Sequence, residues 1–314
     1  MVVSACAFGS GALFAKPVYE AGVGWHVLSA WRFLIGAALA WTWLLLSPGR
    51  RLALRTLDRR LVAVSLALGV LYVGNSATYF AGLVTVDASL AALIVYVYPA
   101  LVAVLSLRFG RRLEGTRAWA ALGLALVGAV LAVGGIDPRT APPIGGLVLI
   151  AASPLIYALW IVLAARLSGE RRTTDAASET PDREGAAASA ATALMTTATA
   201  TAYWLSALAL GEPVAPTAVP VNAWQGLIGV GAVSTFIAIQ TFYAGTQRIG
   251  AAQAALISTI EPVWTIALAA ILFHEALGPI QLVGGALILA GVVLAQTGPG
   301  SLRAEQPVVR MADE

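Results

Sequence analysis

The sequence predicts an all-α membrane protein with ten transmembrane helices, arranged as two inverted five-helix repeats. Three observations lead to this prediction. The first is composition: 59% of the 314 residues are hydrophobic, 11% are charged, and the mean hydropathy is +0.83. A soluble domain has about 25% charged residues, so this chain has too few charged residues to cover the surface of a soluble protein. The second is a series of apolar segments, each long enough to cross a bilayer. The third is an internal repeat.

Ten segments have the length and apolar character of a transmembrane helix. In chain order they are 2–19, 26–47, 61–83, 87–108, 117–136, 144–167, 187–210, 222–246, 251–273 and 278–297. The stretch 168–186 is polar and of mixed charge, which predicts a flexible linker between repeats at 1–167 and 187–297. Residues 298–314 are a polar tail.

Basic residues indicate how the helices are oriented. The connections after the second, fourth and sixth spans carry clusters of arginine, whereas the odd connections hold only Lys16 and Arg139. Cytoplasmic loops collect Lys and Arg, so both termini, the linker and the tail are predicted to be cytoplasmic. The arginine clusters also suit contact with anionic lipid. No connection is long enough to fold into a nucleic-acid-binding face, so no nucleic-acid partner is expected.

A shift of 163 residues aligns 78–132 with 241–295 without a gap, and 17 of the 55 aligned positions are identical. The segment "AALIVYVYP" at 91–99 meets "AALISTIEP" at 254–262. Each half has an odd number of spans, so the second half enters the membrane from the opposite side. Inverted repeats of this kind are found in secondary transporters, whose substrate sites lie where the halves meet.

These segments resemble the EamA-type carriers of the drug/metabolite transporter superfamily. Residues 255–295 are similar to the ninth and tenth helices of that family, and 29–39 and 88–107 to its second and fourth. The resemblance implies two EamA-like halves and a bacterial inner-membrane carrier of small metabolites, such as amino acids, nucleotide precursors, amines or drugs. At 274–275 a His-Glu pair replaces the family's usual Gly-Glu, which puts a role for that helix end in doubt.

Glu261 lies about ten residues, roughly 15 Å, from either end of an apolar helix. A charge at the bilayer centre costs roughly 2.5–3.5 kcal/mol. The carboxyl group must therefore be neutral, be paired, or face a watery cavity. Ser258 and Thr265 share its helix face, which we expect to point inward. Two interpretations stay open: a substrate-pathway or proton-coupling group, and a structural hydrogen bond to a neighbouring helix.

Pro262 follows Glu261 directly, and the repeat aligns it with Pro99. A proline inside a helix has no N–H for the carbonyl four residues earlier, and its ring crowds the preceding turn. Freed carbonyls are tolerated inside a membrane protein or beside a cavity. We therefore expect a kink in both helices, which is either a hinge or a static feature of packing.

Further polar and aromatic side chains within the spans are candidates for a substrate pathway. They are Asn75, Tyr79, Tyr98, Tyr157, Trp160 and Gln240. Each alone is also explained as a hydrogen bond between helices, but together they could line a polar central cavity. Arg32, in the second span, could bind an anionic group, pair with a carboxylate such as Glu20, or extend to the outer headgroups.

The function predicted is secondary transport of a small metabolite, amino acid-like or related, by alternating access, with proton coupling left open. A passive facilitator on the same fold and a polytopic membrane enzyme are the alternatives. "HEALG" at 274–278 is not H-E-x-x-H, and no P-loop occurs. We expect no catalytic residues, cofactor or metal site. The expected partners are the small-molecule substrate and the lipid bilayer, and a monomer and a homodimer both remain open.

Overall fold

The computed structural model describes residues 1–46, 48–55, 57–98, 101–102, 105, 116–134, 139, 141–167, 181–242, 245, 257–258 and 260–296. All regular structure in these residues is helical, without a strand. Within the described part of the chain, five helices are long and apolar enough to cross a membrane: Val2–Glu20, Trp25–Leu46, Arg59–Leu83, Ile144–Leu163 and Val221–Phe242. The chain is thus an all-helical, multi-pass membrane protein. The count of ten spans and the inverted repeat remain predictions.

The helices of the first half follow the apolar segments of the sequence. They are α1 (Val2–Gly9), α2 (Gly11–Glu20), α3 (Trp25–Leu46), α4 (Pro48–Arg55), α5 (Arg59–Leu83), α6 (Ala88–Val95), α7 (Thr116–Gly134) and α8 (Ile144–Leu167). The predicted first span is divided at Ser10, whose hydroxyl donates to the carbonyl of Cys6 at 2.7 Å. Helix α4 lies in a connection in which no helix was predicted.

The described residues of the second half include four α-helices and a π-helical segment. Its helices are α9 (Pro181–Ala209), α10 (Trp224–Ile228), α11 (Ile260–Phe273) and α12 (Pro279–Gln296), with a π-helical segment at Gly229–Ile237. Helix α9 starts at Pro181, inside the stretch 168–186 predicted to be a linker, and the division of the chain into domains stays a prediction. Proline is well suited to the first position of a helix, where its missing N–H is not needed.

Helix α5 is held between α8 and α9 by two hydrogen bonds to consecutive backbone carbonyls. Trp160 Nε1 donates to the carbonyl of Leu68 at 2.9 Å, and Thr199 Oγ1 donates to that of Gly69 at 2.7 Å. Side-chain donors of this kind join helices in an environment without water. They fix the face of α5 that is turned toward the centre of the protein.

Helices α7 and α12 cross at two glycine contacts. A Cβ atom built on Gly128 would lie 2.5 Å from the carbonyl oxygen of Gly284, and one on Gly291 would lie 2.6 Å from that of Ala121. Only glycine allows backbones to approach this closely. In the alignment with a shift of 163 residues, Gly128 corresponds to Gly291 and Ala121 corresponds to Gly284. The contact of Gly128 with Gly284 therefore corresponds to the contact of Gly291 with Ala121. The two aligned helices therefore cross at equivalent points.

Candidate functional site

A cavity of about 660 Å³ lies among α1, α3, α5, α6, α8, the π-helical segment and α11. Nine of the ten predicted pathway residues line it: Arg32, Asn75, Tyr79, Tyr98, Tyr157, Trp160, Ser258, Glu261 and Thr265. Pro262 lines it too, in the first turn of α11, whereas Pro99 lies outside the described residues. Gln240 is placed elsewhere, where its Oε1 accepts from Ser189 Oγ at 3.5 Å.

Glu261 is half-buried and borders the cavity. Within the described part of the chain, no hydrogen bond or ion pair reaches its carboxylate. The helix around it is closely held by α1: Thr265 Oγ1 donates to the carbonyl of Gly9 at 2.8 Å and to that of Glu261 at 3.0 Å. A Cβ on Gly9 would lie 2.8 Å from the Glu261 carbonyl oxygen, so a larger residue there would separate the helices. The backbone at Glu261 is thus held against α1, and the residue borders the cavity.

The helix face that carries Glu261 aligns, through the internal repeat, with a less polar face in the first half of the chain. The shift of 163 residues maps Ser258, Glu261 and Thr265 onto Val95, Tyr98 and Val102. All six residues line the cavity. The first half therefore contributes a phenol between two valines, and the second half contributes a carboxyl group between two hydroxyls. The equivalent positions enclose one space but give it two chemically different walls.

Arg32 supplies a positive charge to the same cavity. Its side chain is buried, with only 8% of the residue exposed, and Nε donates to Thr235 Oγ1 at 2.8 Å. The guanidinium carbon lies 4.8 Å from the ring centroid of Phe33 and 4.5 Å from that of Phe80, so two cation–π contacts offset part of the cost of burial. Of the three roles considered for Arg32, extension to the headgroups does not agree with this burial. No ion pair with Glu20 occurs among the described residues.

The π-helical segment explains why Thr235 is in position to accept from Arg32. Thr235 Oγ1 also donates to the carbonyl of Val230, five residues earlier, at 3.0 Å. π-Helical turns are rare and are frequent at functional sites. A Cβ on Gly36 would lie 2.7 Å from Thr235 Cγ2, so the glycine lets α3 come close enough for the arginine to reach. Hydropathy gives no signal for either feature, and sequence reasoning missed this partner of Arg32.

Aromatic rings from three helices form one wall of the cavity. Tyr98 and Tyr157 have ring centroids 4.8 Å apart, and Tyr157 is stacked on Trp160 at 5.9 Å. Tyr72 lies edge-on to Trp160 at 5.3 Å. Sequence reasoning did not select Tyr72. It also missed Phe242, which lines the cavity and which the repeat aligns with Tyr79, so the alignment could have found it.

The end of α11 has a structural role that the sequence left in doubt. Glu275 accepts from the backbone N–H of Ala88 at 3.1 Å and from that of Ser89 at 2.8 Å. It thus caps the N-terminus of α6, where the helix dipole favours a carboxylate. His274 has φ 56°, a left-handed conformation that turns the chain toward α6. Beside this cap, Lys16 Nζ lies 3.8 Å from the Asp87 carboxylate.

Comparisons with known proteins point to transport. The sequence profile of the EamA-like transporter family matches residues 1–134 and 185–297, which contain Arg32 and Glu261 respectively. An uncharacterized transporter of Archaeoglobus fulgidus is 30% identical over 230 residues, covering 73% of this chain and 75% of that protein. A solved crystal structure superposes with a TM-score of 0.63 at 20% identity, covering 97% of this chain and 96% of the other. At that identity the likeness shows the fold alone.

Proposed function

The chain belongs to the EamA-like transporter family, and we propose that it is a secondary transporter of a small metabolite, amino acid-like or related, working by alternating access. The observation that carries this proposal is the central cavity, which is bordered by helices of both halves and holds Arg32 and Glu261. A volume of about 660 Å³ is within the usual range for small-molecule sites. The aromatic and hydroxyl groups of its walls suit a solute with polar and apolar parts.

Alternating access is supported by the relation between the halves. The two glycine contacts between α7 and α12 exchange under the 163-residue shift, as an approximate two-fold axis would require. Two similar halves inserted in opposite directions can exchange shapes, so that the cavity opens to one side and then to the other. Close glycine contacts are suited to an axis about which helices pivot, since no side chain has to be moved aside.

Proton coupling through Glu261 is part of the proposal. The group is the only carboxylate among the described lining residues, and it has no partner there. The charged and titratable groups that line the cavity with it are Arg32, Tyr72, Tyr79, Tyr96, Tyr98 and Tyr157. A carboxyl group open to the cavity can take a proton from one side and release it to the other when access changes. The acid would then link substrate movement to a proton gradient.

We propose that the chain lies in a bacterial inner membrane. The distribution of arginine supports an orientation with both termini in the cytoplasm. The Glu275 cap and the Lys16–Asp87 pair then lie toward the outer face. Glu20, exposed at the end of α2, lies at the same end of the molecule.

The test is a substrate panel in proteoliposomes. Purified protein is reconstituted, and labelled amino acids, nucleosides, amines and sugars are offered with and without an imposed pH gradient. We expect saturable uptake of members of one class that empty liposomes do not show. Uptake of none of them, or chemical conversion of one without movement, would contradict the proposal.

A further inference from the structure

Arg32 has donor groups for which the described residues offer no acceptor. Of the guanidinium nitrogens, Nε is bonded to Thr235, whereas Nη1 and Nη2 have no acceptor among the described residues. Arg32 is 8% exposed and borders the cavity. Its Nη1 and Nη2 atoms do not belong to the buried side-chain atoms that are both enclosed and without a hydrogen-bond partner. The remaining exposure is therefore toward the cavity. A buried arginine stays charged, so an unmatched donor edge is costly to maintain in an apolar interior.

The surroundings hold that edge in one orientation. Phe33 and Phe80 lie against the guanidinium, and the Nε bond to Thr235 prevents its rotation. Thr235 is itself fixed by its bond to the carbonyl of Val230. Arginine presents a planar fork of donors that matches the two oxygens of a carboxylate or phosphate. The side chain is thus organised before any ligand arrives.

A cluster of aromatic side chains lines the same cavity. Tyr72, Tyr157 and Trp160 present neighbouring rings, and Tyr98 extends them toward α6. Rings in stacked and edge-on arrangements provide favourable contacts for an unsaturated ligand. The cavity thus combines one oxyanion-binding edge with one aromatic wall.

We propose that the Nη1 and Nη2 groups of Arg32 bind an oxyanion of the transported solute, a carboxylate or a phosphate, while the wall formed by Tyr72, Tyr98, Tyr157 and Trp160 receives a planar part of it. This inference rests on the proposed function and adds the chemical class of the substrate. Thr235 is a positioning residue, since it reaches the solute only through Arg32.

The experiment measures binding by isothermal titration calorimetry of detergent-purified protein. The probes are benzoate, phenyl phosphate, the neutral isostere benzamide, and acetate, which has no ring. We expect an oxyanion with a ring to bind at least about tenfold more tightly than benzamide and acetate, since charge-assisted hydrogen bonds are stronger than neutral ones. Whether benzoate or phenyl phosphate binds more tightly distinguishes carboxylate from phosphate as the group recognised.

Variants assign the preference to Arg32. Arg32→Gln is expected to reduce the ratio of benzoate affinity to benzamide affinity to about one. Thr235→Val keeps the arginine but removes its acceptor, and it is expected to lower the same ratio. Thr235→Ser keeps the hydroxyl group and should restore the ratio, which a purely structural role would not predict. Arg50→Gln is the matched control, because Arg50 lies over the Trp43 ring at 4.1 Å and does not line the cavity.

Equal binding of benzoate and benzamide by the wild type would overturn the inference, and so would an unchanged ratio in folded Arg32→Gln. If Arg32→Gln is unstable, the Thr235→Val and Thr235→Ser pair decides the question. Failure here is distinct from failure of the proposed function. Unimpaired transport of a panel substrate by Arg32→Gln would overturn only this inference. An Arg32-dependent preference without any transport would overturn only the transport proposal.

Discussion

The carboxylate of Glu275 accepts a hydrogen bond from the backbone N–H of Ser89 at 2.8 Å, across 186 residues of chain. Its second oxygen accepts from Ala88 at 3.1 Å. A side chain that follows α11 thus caps α6, so the two halves of the chain are joined by a direct polar contact. The first N–H groups of any helix have no acceptor within that helix, and the Glu275 carboxylate supplies the acceptors for two of them.

Replacing Glu275 is expected to destabilise the protein. Glu275→Ala removes both acceptors and the favourable charge at the helix N-terminus, which we expect to cost about 1–2 kcal/mol. Glu275→Gln keeps one acceptor oxygen and should lie between the wild type and alanine. Thermal unfolding in mild detergent measures the order. An alanine variant as stable as the wild type would show that the cap does not contribute to stability.

His274→Gly is expected to stabilise the protein. At φ 56° a side chain crowds the following carbonyl, a strain of roughly 1 kcal/mol that glycine does not have. The same unfolding assay should therefore show a higher midpoint temperature. Ala276→Gly is the control, since that residue does not have a positive φ and should gain nothing. A lower midpoint for His274→Gly would mean that contacts of the imidazole outweigh the strain.

Alanine at Gly128 or Gly291 is expected to weaken the crossing of α7 and α12. The new Cβ would lie 2.5 or 2.6 Å from a backbone oxygen, so the helices must separate, at a cost of about 1–3 kcal/mol. Gly123→Ala, on the same helix with open space around it, should be neutral or slightly stabilising. If all three variants unfold alike, the close contact is not required for stability.

Glu261→Gln is expected to insert and fold normally and to lose transport driven by a pH gradient. The amide has nearly the same shape but cannot carry a proton between the two sides. Uptake at different pH gradients, measured in proteoliposomes, gives the result. Glu212→Gln is the control, because Glu212 pairs with His26 at 3.6 Å and does not line the cavity. Unchanged gradient dependence in Glu261→Gln would remove the coupling role of this residue.

The sequence predicted the helices well where hydropathy alone determines them. The sixth span, 144–167, coincides with α8, and the third, 61–83, differs from α5 by two residues at its start. The break at Ser10 and the π-helical segment were missed, because neither feature changes the hydropathy of the chain. Helix α9 begins six residues before the predicted seventh span, in a stretch that hydropathy does not mark because it is polar.

The candidate site was predictable to the extent that helix periodicity determines it. The spacing of Ser258, Glu261 and Thr265 places them on one face, and that face borders the cavity. What periodicity cannot supply is the partner across the interface. Arg32 and Thr235 are 203 residues apart, and Glu275 and Ser89 are 186 apart. Such pairs depend on how the helices are assembled, which a single sequence does not encode in any local pattern.

The central claim is alternating access, and counterflow tests it most directly. Proteoliposomes are loaded with a high concentration of an unlabelled substrate found in the panel, and a trace of labelled substrate is added outside. The account predicts that label accumulates transiently inside above its external concentration, because each inward step is coupled to an outward step of the same carrier. Label that only equilibrates with the outside would show a channel or passive pore and would contradict the account.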